Sequence, residues 1–200
     1  ADLQAQIAGL ASAATRVLAQ NWVAQAYRDA QALPLGAFEA ALMGNMRGDP
    51  LRLAKAFGCD ILTVFRRLAF RKGAVDGLVI CDGSGALIMR KSVEGFALPR
   101  HGAACPLWPL FSALSQPSRP VSALVEMPGL APHPFFLRAY CAVSYPQGFS
   151  GPEVRDAAML ITAGKPVGGG EVVPVGSSCR ICPRADCAAR REPSIISETV

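Results

Sequence analysis

Three thiols crowd the end of this chain, in Cys179-Arg-Ile-Cys182-Pro-Arg-Ala-Asp-Cys187. A short loop can bring cysteines at this spacing round one centre, so they point to a soft ligand, zinc or an iron–sulfur cluster, or else to a redox pair. Three ligands leave one position to fill. Cys105, immediately before Pro106, is the candidate, because a helix opening there favours a thiolate through its free amides and dipole; His101 is the second choice. Arg180 and Arg184 would offset thiolate charge and lower thiol pKa values. Cys59, Cys81 and Cys141 stand in apolar helix or strand positions and read as core. Seven cysteines do not pair off, and a secreted disulfide framework would be shorter and more evenly stapled. Reduced thiols in a cytoplasm fit better.

Catalysis finds little support. There is no HExxH, GxSxG or Walker glycine loop. His101 and His133, the only histidines, lie in proline- or glycine-rich segments with no carboxylate partner evident nearby. Asp82-Gly-Ser-Gly85 reads as a hairpin turn, not a phosphate loop. The expectation is a protein that is not an enzyme. The net charge is +5, and basic residues gather at Arg66, Arg67, Arg71 and Lys72 and again at Arg180, Arg184, Arg190 and Arg191. Such clusters attract phosphates or form a solvated face. Ala54, Gly58 and Val64 have helix-turn-helix spacing, with Arg66 and Arg67 on the second helix, but any tight helix pair needs the same residue types.

The elements that must position these groups change character at Gly73. Before it, Leu3, Ile7, Leu10, Ala14, Val17 and Leu18 recur at helical spacing. Phe38 to Met46 reads as a second helix. Asp49-Pro50 opens a short helix closed by Gly58, and Asp60 caps another through Phe70. After Gly73, Leu78–Cys81 and Ala86–Lys91 flank a turn as a hairpin. Pro106 to Leu114 reads as a helix with both prolines in its first turn. Val121–Met127 and Phe135–Ser144 alternate as half-buried strands. Ser150 and Glu153 form a capping box for a helix packing through Val154, Ala157, Ala158 and Ile161. Lys165 to Gly176 reads as a linker or irregular strand.

The fold class expected is therefore α+β: N-terminal helices, a small antiparallel sheet with helices in the manner of GAF- and PAS-like sensors, and a cysteine-rich C-terminal segment. The divisions expected are 1–72, 73–176 and 177–200. No run of apolar residues is long enough to suggest a membrane span. The start at Ala1, with no signal peptide, reads as that of an excised fragment.

At His101-Gly-Ala-Ala-Cys-Pro-Leu-Trp108 and Gly176-Ser-Ser-Cys-Arg-Ile-Cys-Pro-Arg-Ala-Asp-Cys187, the sequence resembles the short-chain fatty acyl transcriptional regulators. Ala-Arg-Arg-Glu-Pro-Ser194 adds to the likeness, and a weaker similarity runs through Leu33–Phe38 and Phe57–Leu68. The resemblance implies a cytoplasmic regulator with a helix-turn-helix domain, a peptidase-like region that would correspond to 1–72, and an acyl-CoA-sensing domain. It implies control of propionate, acetate or related short-chain fatty acid metabolism. It makes Cys179, Cys182 and Cys187 ligands of a cluster, with Cys105 the fourth, and tips the choice from zinc towards 4Fe–4S. DNA would be contacted through a domain absent from this fragment.

An acyl-CoA presents phosphates, an adenine and a short apolar tail, so its pocket needs cations at one end and a confined apolar end. Arg90, Lys91, Arg100 and His101 are the expected phosphate contacts, and Phe96, Trp108 and Tyr140 the expected apolar lining. The rival readings are a redox or metal sensor in which the cysteine-bound centre is the signal, and an interaction module. In the latter, the Leu3–Gln31 helix would make a homodimer.

Overall fold

In a computed structural model, the structure describes residues 2–44, 46, 48–127, 129, 133–164 and 169–196. The chain divides into two compact units, Ala1–Arg67 and Leu68–Val200.

The first unit is helical: α1 (Leu3–Ala8), α2 (Ala13–Ala32), α3 (Leu35–Met43), α4 (Pro50–Phe57) and most of α5 (Ile61–Phe70). The expected single periodic run from Leu3 is broken, and a capping box between Ser12 and Thr15 starts α2 afresh. Asp49 caps α4, Pro50 occupies its first turn, and Gly58 closes it with a left-handed φ of 60°. Asp60 accepts from the Thr63 amide at 2.8 Å, as the start of α5 requires.

α2 and α5 meet through a buried carboxylate. Arg66 reaches Asp29 with Nε at 2.6 Å from Oδ2 and Nη2 at 2.8 Å from Oδ1. Gln25 donates to the same carboxylate at 2.8 Å and Thr63 at 3.2 Å. Arg67 lies over the Phe38 ring, and Arg71 pairs with Asp76. Of the basic cluster at Arg66, Arg67, Arg71 and Lys72, the three arginines are engaged within their own units, and Lys72 is exposed. The helix-turn-helix reading loses Arg66 as a DNA contact for the same reason.

The second unit holds one six-stranded sheet in the order β2-β1-β5-β4-β3-β6. Its strands are β1 (Gly77–Asp82), β2 (Leu87–Lys91), β3 (Val121–Glu126), β4 (Phe135–Ser144), β5 (Val154–Ala163) and β6 (Val172–Pro174), with α6 (Pro109–Ser115) between β2 and β3. Every neighbouring pair is antiparallel except β3 and β6, which run parallel. The sheet is therefore mixed, not purely antiparallel, and its order gives no specific GAF or PAS assignment. Part of the expected 165–176 linker is β6, while 165–168 lie outside the described residues.

The helix expected after Ser150 is a strand, β5. It pairs residue for residue with β4 from Val154↔Ser144 to Ala163↔Phe135 and on its other side with β1. All five residues from Ala157 to Ile161 are buried. A central strand covered on both faces loses the apolar–polar alternation, and a short continuous apolar run cannot be told from a helix by periodicity.

The core forms on one face of the sheet, where Val79, Cys81, Leu137, Ala139, Cys141, Ala157, Met159 and Ile161 meet Trp108, Leu110 and Ala113 around α6. α6 begins at Pro109 with Trp108 as its N-cap, so Pro106 belongs to the turn before it. Cys105 accordingly stands a turn upstream of the helix, not at its N-terminus.

Candidate functional site

Two distant segments are laced together backbone to backbone. The Cys105 amide donates to Ser177 O at 2.8 Å, and the Gly176 amide points at Cys105 Sγ at 3.5 Å. Trp108, fully buried, donates its indole N–H to Gly176 O at 2.9 Å. These contacts lay the Cys105 turn against the chain entering the cysteine segment. A Cβ built at Gly176 would stand 2.9 Å from Cys182 Sγ, so only glycine lets this backbone approach the second cysteine so closely.

Beyond it, Cys179–Ile181 forms a single 3-10 turn. Arginines hold the loop by its carbonyls. Arg190 donates to Cys179 O at 3.2 Å, Cys182 O at 3.3 Å and Glu192 O at 3.2 Å, and also to Arg184 O. Arg184 donates to Pro174 O at 2.6 Å and approaches Cys187 Sγ at 3.8 Å. Arg191 donates to Ala104 O at 2.7 Å, next to Cys105. In the second basic cluster, three of the four arginines, Arg184, Arg190 and Arg191, are bonded to main-chain carbonyls. Carbonyl capping of this kind leaves no signature in residue type or spacing beyond the presence of arginine.

The outcome is one small cavity, lined by Cys105, Cys179, Cys182 and Cys187 together with Pro106, Gly176, Ser178, Arg184 and Arg190. Among the described residues, no three His, Cys, Asp or Glu side chains are grouped as donors for a single metal ion.

Their environments differ. Burial pushes the Cys105 thiol up, against the amides of Gly176 and Leu107, which favour the thiolate; Cys179 and Cys182 add to the rise. Burial also acts to raise Cys179, but the Arg191 amide, its guanidinium and charge, and the Glu192 amide outweigh it and leave this thiol below its ordinary value. The cation responsible is Arg191, not the expected Arg180 or Arg184. Cys81 and Cys141 are core, and burial followed by the Asp82 charge pushes Cys81 up to about 12. Cys59 is half-buried in the turn after Gly58 and not within a helix.

The residues expected to bind an acyl-CoA are dispersed. Phe96 and Trp108 are buried with ring centroids 5.4 Å apart, and Phe96 meets Phe135 edge-on. Tyr140 neighbours Cys141 on β4 and so faces the opposite side of the sheet from the Trp108 core. Arg90 is exposed on the edge strand β2. Lys91 donates to Asp76 O at 2.6 Å and Ala74 O at 3.3 Å and lies over Phe70. Arg100 and His101 come together in a groove with Arg180, Ile181, Glu192 and Ile195.

Residues 72–199 match the family described as the short-chain fatty acyl coenzyme A regulator, C-terminal. The chain belongs to that family. It is similar to the propionyl-CoA carboxylase regulator of Cereibacter sphaeroides, 32% identical over 94% of this chain and 44% of the relative. It is also similar to the HTH-type transcriptional regulator PrpR of Mycobacterium tuberculosis, 30% identical over 91% of the chain and 40% of the relative. A solved structure of a Mycobacterium tuberculosis transcriptional regulator matches with a TM-score of 0.80 at 27% identity, covering 99% of this chain and 65% of that one. The chain thus spans less than half the length of these two curated relatives. As part of a short-chain fatty acyl coenzyme A regulator, it is a regulatory domain and not an enzyme. No helix among the described residues is long and apolar enough to cross a membrane.

Proposed function

We propose that this chain is the sensing part of a cytoplasmic bacterial transcription regulator that binds a short-chain acyl-CoA and carries a 4Fe–4S cluster on Cys105, Cys179, Cys182 and Cys187. The observation that carries the reading is the cavity whose walls include all four of these cysteines and neither of the core thiols Cys81 and Cys141. The donor set fits. Thiolates are the ligands that iron–sulfur clusters take, and two arginines line the same space to balance their charge.

When bound, such a cluster supplies a redox-sensitive cross-link. The chain's own residues do the rest: Gly176 admits Cys182, Arg190 and Arg184 hold the loop, and Trp108 anchors the entry strand to α6. The likeness to a propionyl-CoA carboxylase regulator and to an HTH-type transcriptional regulator supports the acyl-CoA and DNA parts of the reading. DNA contact falls to a part of the regulator that this chain does not span, and the working form is a homodimer. Titration calorimetry with propionyl-CoA tests the ligand. Heat of binding that saturates at one ligand per chain is expected, and no heat with any short acyl-CoA would refute it.

A further inference from the structure

One nitrogen of Arg184 faces two partners. Its Nη1 donates to Pro174 O at 2.6 Å and lies 3.8 Å from Cys187 Sγ. Pro174 ends β6, a strand of three residues at the edge of the sheet, paired in parallel with β3 from Leu124↔Val172 to Glu126↔Pro174. Proline has no N–H, so its carbonyl is the main-chain group by which this strand end can be held. The next amide, Val175, donates to Glu126 O at 2.9 Å, and the one after it, Gly176, points at Cys105 Sγ at 3.5 Å. The stretch 174–176 is thus tied towards two of the four cavity thiols, through a guanidinium at one end and an amide at the other. Among the described residues, no carboxylate stands within ion-pair distance of Arg184. Its half-buried charge is left to act on the sulfur. Arg190, which also lines the cavity, differs in directing its N–H groups to the carbonyls of Cys179, Cys182, Arg184 and Glu192.

We infer that Arg184 sets the reduction potential of the thiolate-held cluster and ties its charge state to the docking of β6 on β3. The inference rests on the cluster reading above and adds to it a residue that is not a ligand. Reduction would take one electron from a low-potential one-electron donor. No bond forms or breaks and no proton moves, and the negative charge on the thiolates and cluster together rises by one. Nearby charge and hydrogen bonds to the sulfurs set the potential of such a centre. A cation donating to Cys187 Sγ favours the more negative state, so Arg184 makes reduction easier. The more negative state in turn holds the guanidinium more firmly, and the same nitrogen holds Pro174 O. Linkage makes the two effects reciprocal: reduction secures β6, and a docked β6 favours reduction.

The test is spectroelectrochemical titration of the anaerobically purified chain, with iron and sulfide content and with hydrogen exchange at Val172, Val173 and Val175. The proteins compared are the wild type, Arg184→Gln, Arg184→Lys and Arg180→Gln. Arg180→Gln removes the same charge from an exposed residue outside the cavity wall. Arg184→Gln should retain its iron and be reduced about tenfold less favourably, a midpoint about 59 mV lower for one electron, with faster exchange in β6. Arg180→Gln should move the midpoint much less and leave β6 exchange unchanged. Arg184→Lys keeps the charge but not the reach, so it should recover part of the midpoint and still exchange faster in β6. It keeps the test decisive if the glutamine variant does not load iron. Dithionite reduction of the wild type should slow exchange at the same three valines. Equal midpoints in Arg184→Gln and Arg180→Gln, wild-type β6 exchange in Arg184→Lys, or a wild-type cluster that dithionite does not reduce would each overturn the inference. Wild-type protein that purifies without iron and sulfide would instead overturn the cluster reading itself.

Discussion

At the scale of single residues, the chain separates two kinds of thiol. Cys81 is a fully buried core group whose thiol is pushed up to about 12 by burial and by Asp82. Its unfolded form ionises near its ordinary value of 9.0, so between there and about 12 the unfolded chain has lost a proton that the folded chain keeps. Stability from this group is therefore intact below that window and falls as pH rises through it. Cys81→Ala should flatten part of the alkaline decline in urea midpoint, and an unchanged slope would refute the assignment. Spacing and resemblance singled out the four cysteines that line the cavity. The residue that lets them meet was not legible, because the need for Gly176 comes from how close Cys182 approaches, which is a tertiary fact. Gly176→Ala should displace Cys182 and lower metal content with little effect on the first unit. Wild-type metal loading in that variant would contradict the packing argument.

At the scale of elements, local chemistry was readable wherever a cap or an alternation announced itself. The Asp49-Pro50 start, the Gly58 stop, the β1–β2 hairpin and the ten residues of β4 all stand where the sequence places them. β5 was not readable, since burial on both faces erased its alternation while Ser150 and Glu153 mimicked a helix cap. The sheet neighbours of a strand, and not its own residues, decide such a case. The link between α2 and α5 was likewise hidden, because Asp29 and Arg66 are far apart in sequence and each looks like an ordinary surface charge. Asp29 is 3% exposed, so Asp29→Ala would leave the Arg66 guanidinium buried without its partner. The expected loss is about 3–5 kcal/mol in denaturant unfolding. Pairing it with Arg66→Met should recover much of that loss, and additive losses in the double variant would show that the ion pair is not what couples them.

At the scale of the whole molecule, the cysteine cavity shares walls with two neighbouring grooves: Pro106 with one that Phe111 and Leu114 line, and Ser178 with one that Arg100 and Arg180 line. A group held by the thiols would therefore stiffen both, and equilibrium linkage makes the effect reciprocal. Removing the metal with a chelator should weaken propionyl-CoA binding, and bound propionyl-CoA should slow metal loss by a matching factor; independence of the two would deny the coupling. The last segment of the chain adds to this dependence. It is held mainly by arginine-to-carbonyl bonds and few large buried side chains, so binding energy at the thiols acts as folding energy there. The central claim is that Cys105 joins the three C-terminal cysteines on one cluster. Iron and acid-labile sulfide should be measured in strictly anaerobic preparations of the wild type and of Cys105→Ser, Cys179→Ser and Cys141→Ser. The account predicts iron and sulfide in equal amounts in the wild type and Cys141→Ser, and loss of both in Cys105→Ser and Cys179→Ser. Stoichiometric zinc without iron, or full iron retained by Cys105→Ser, would contradict it.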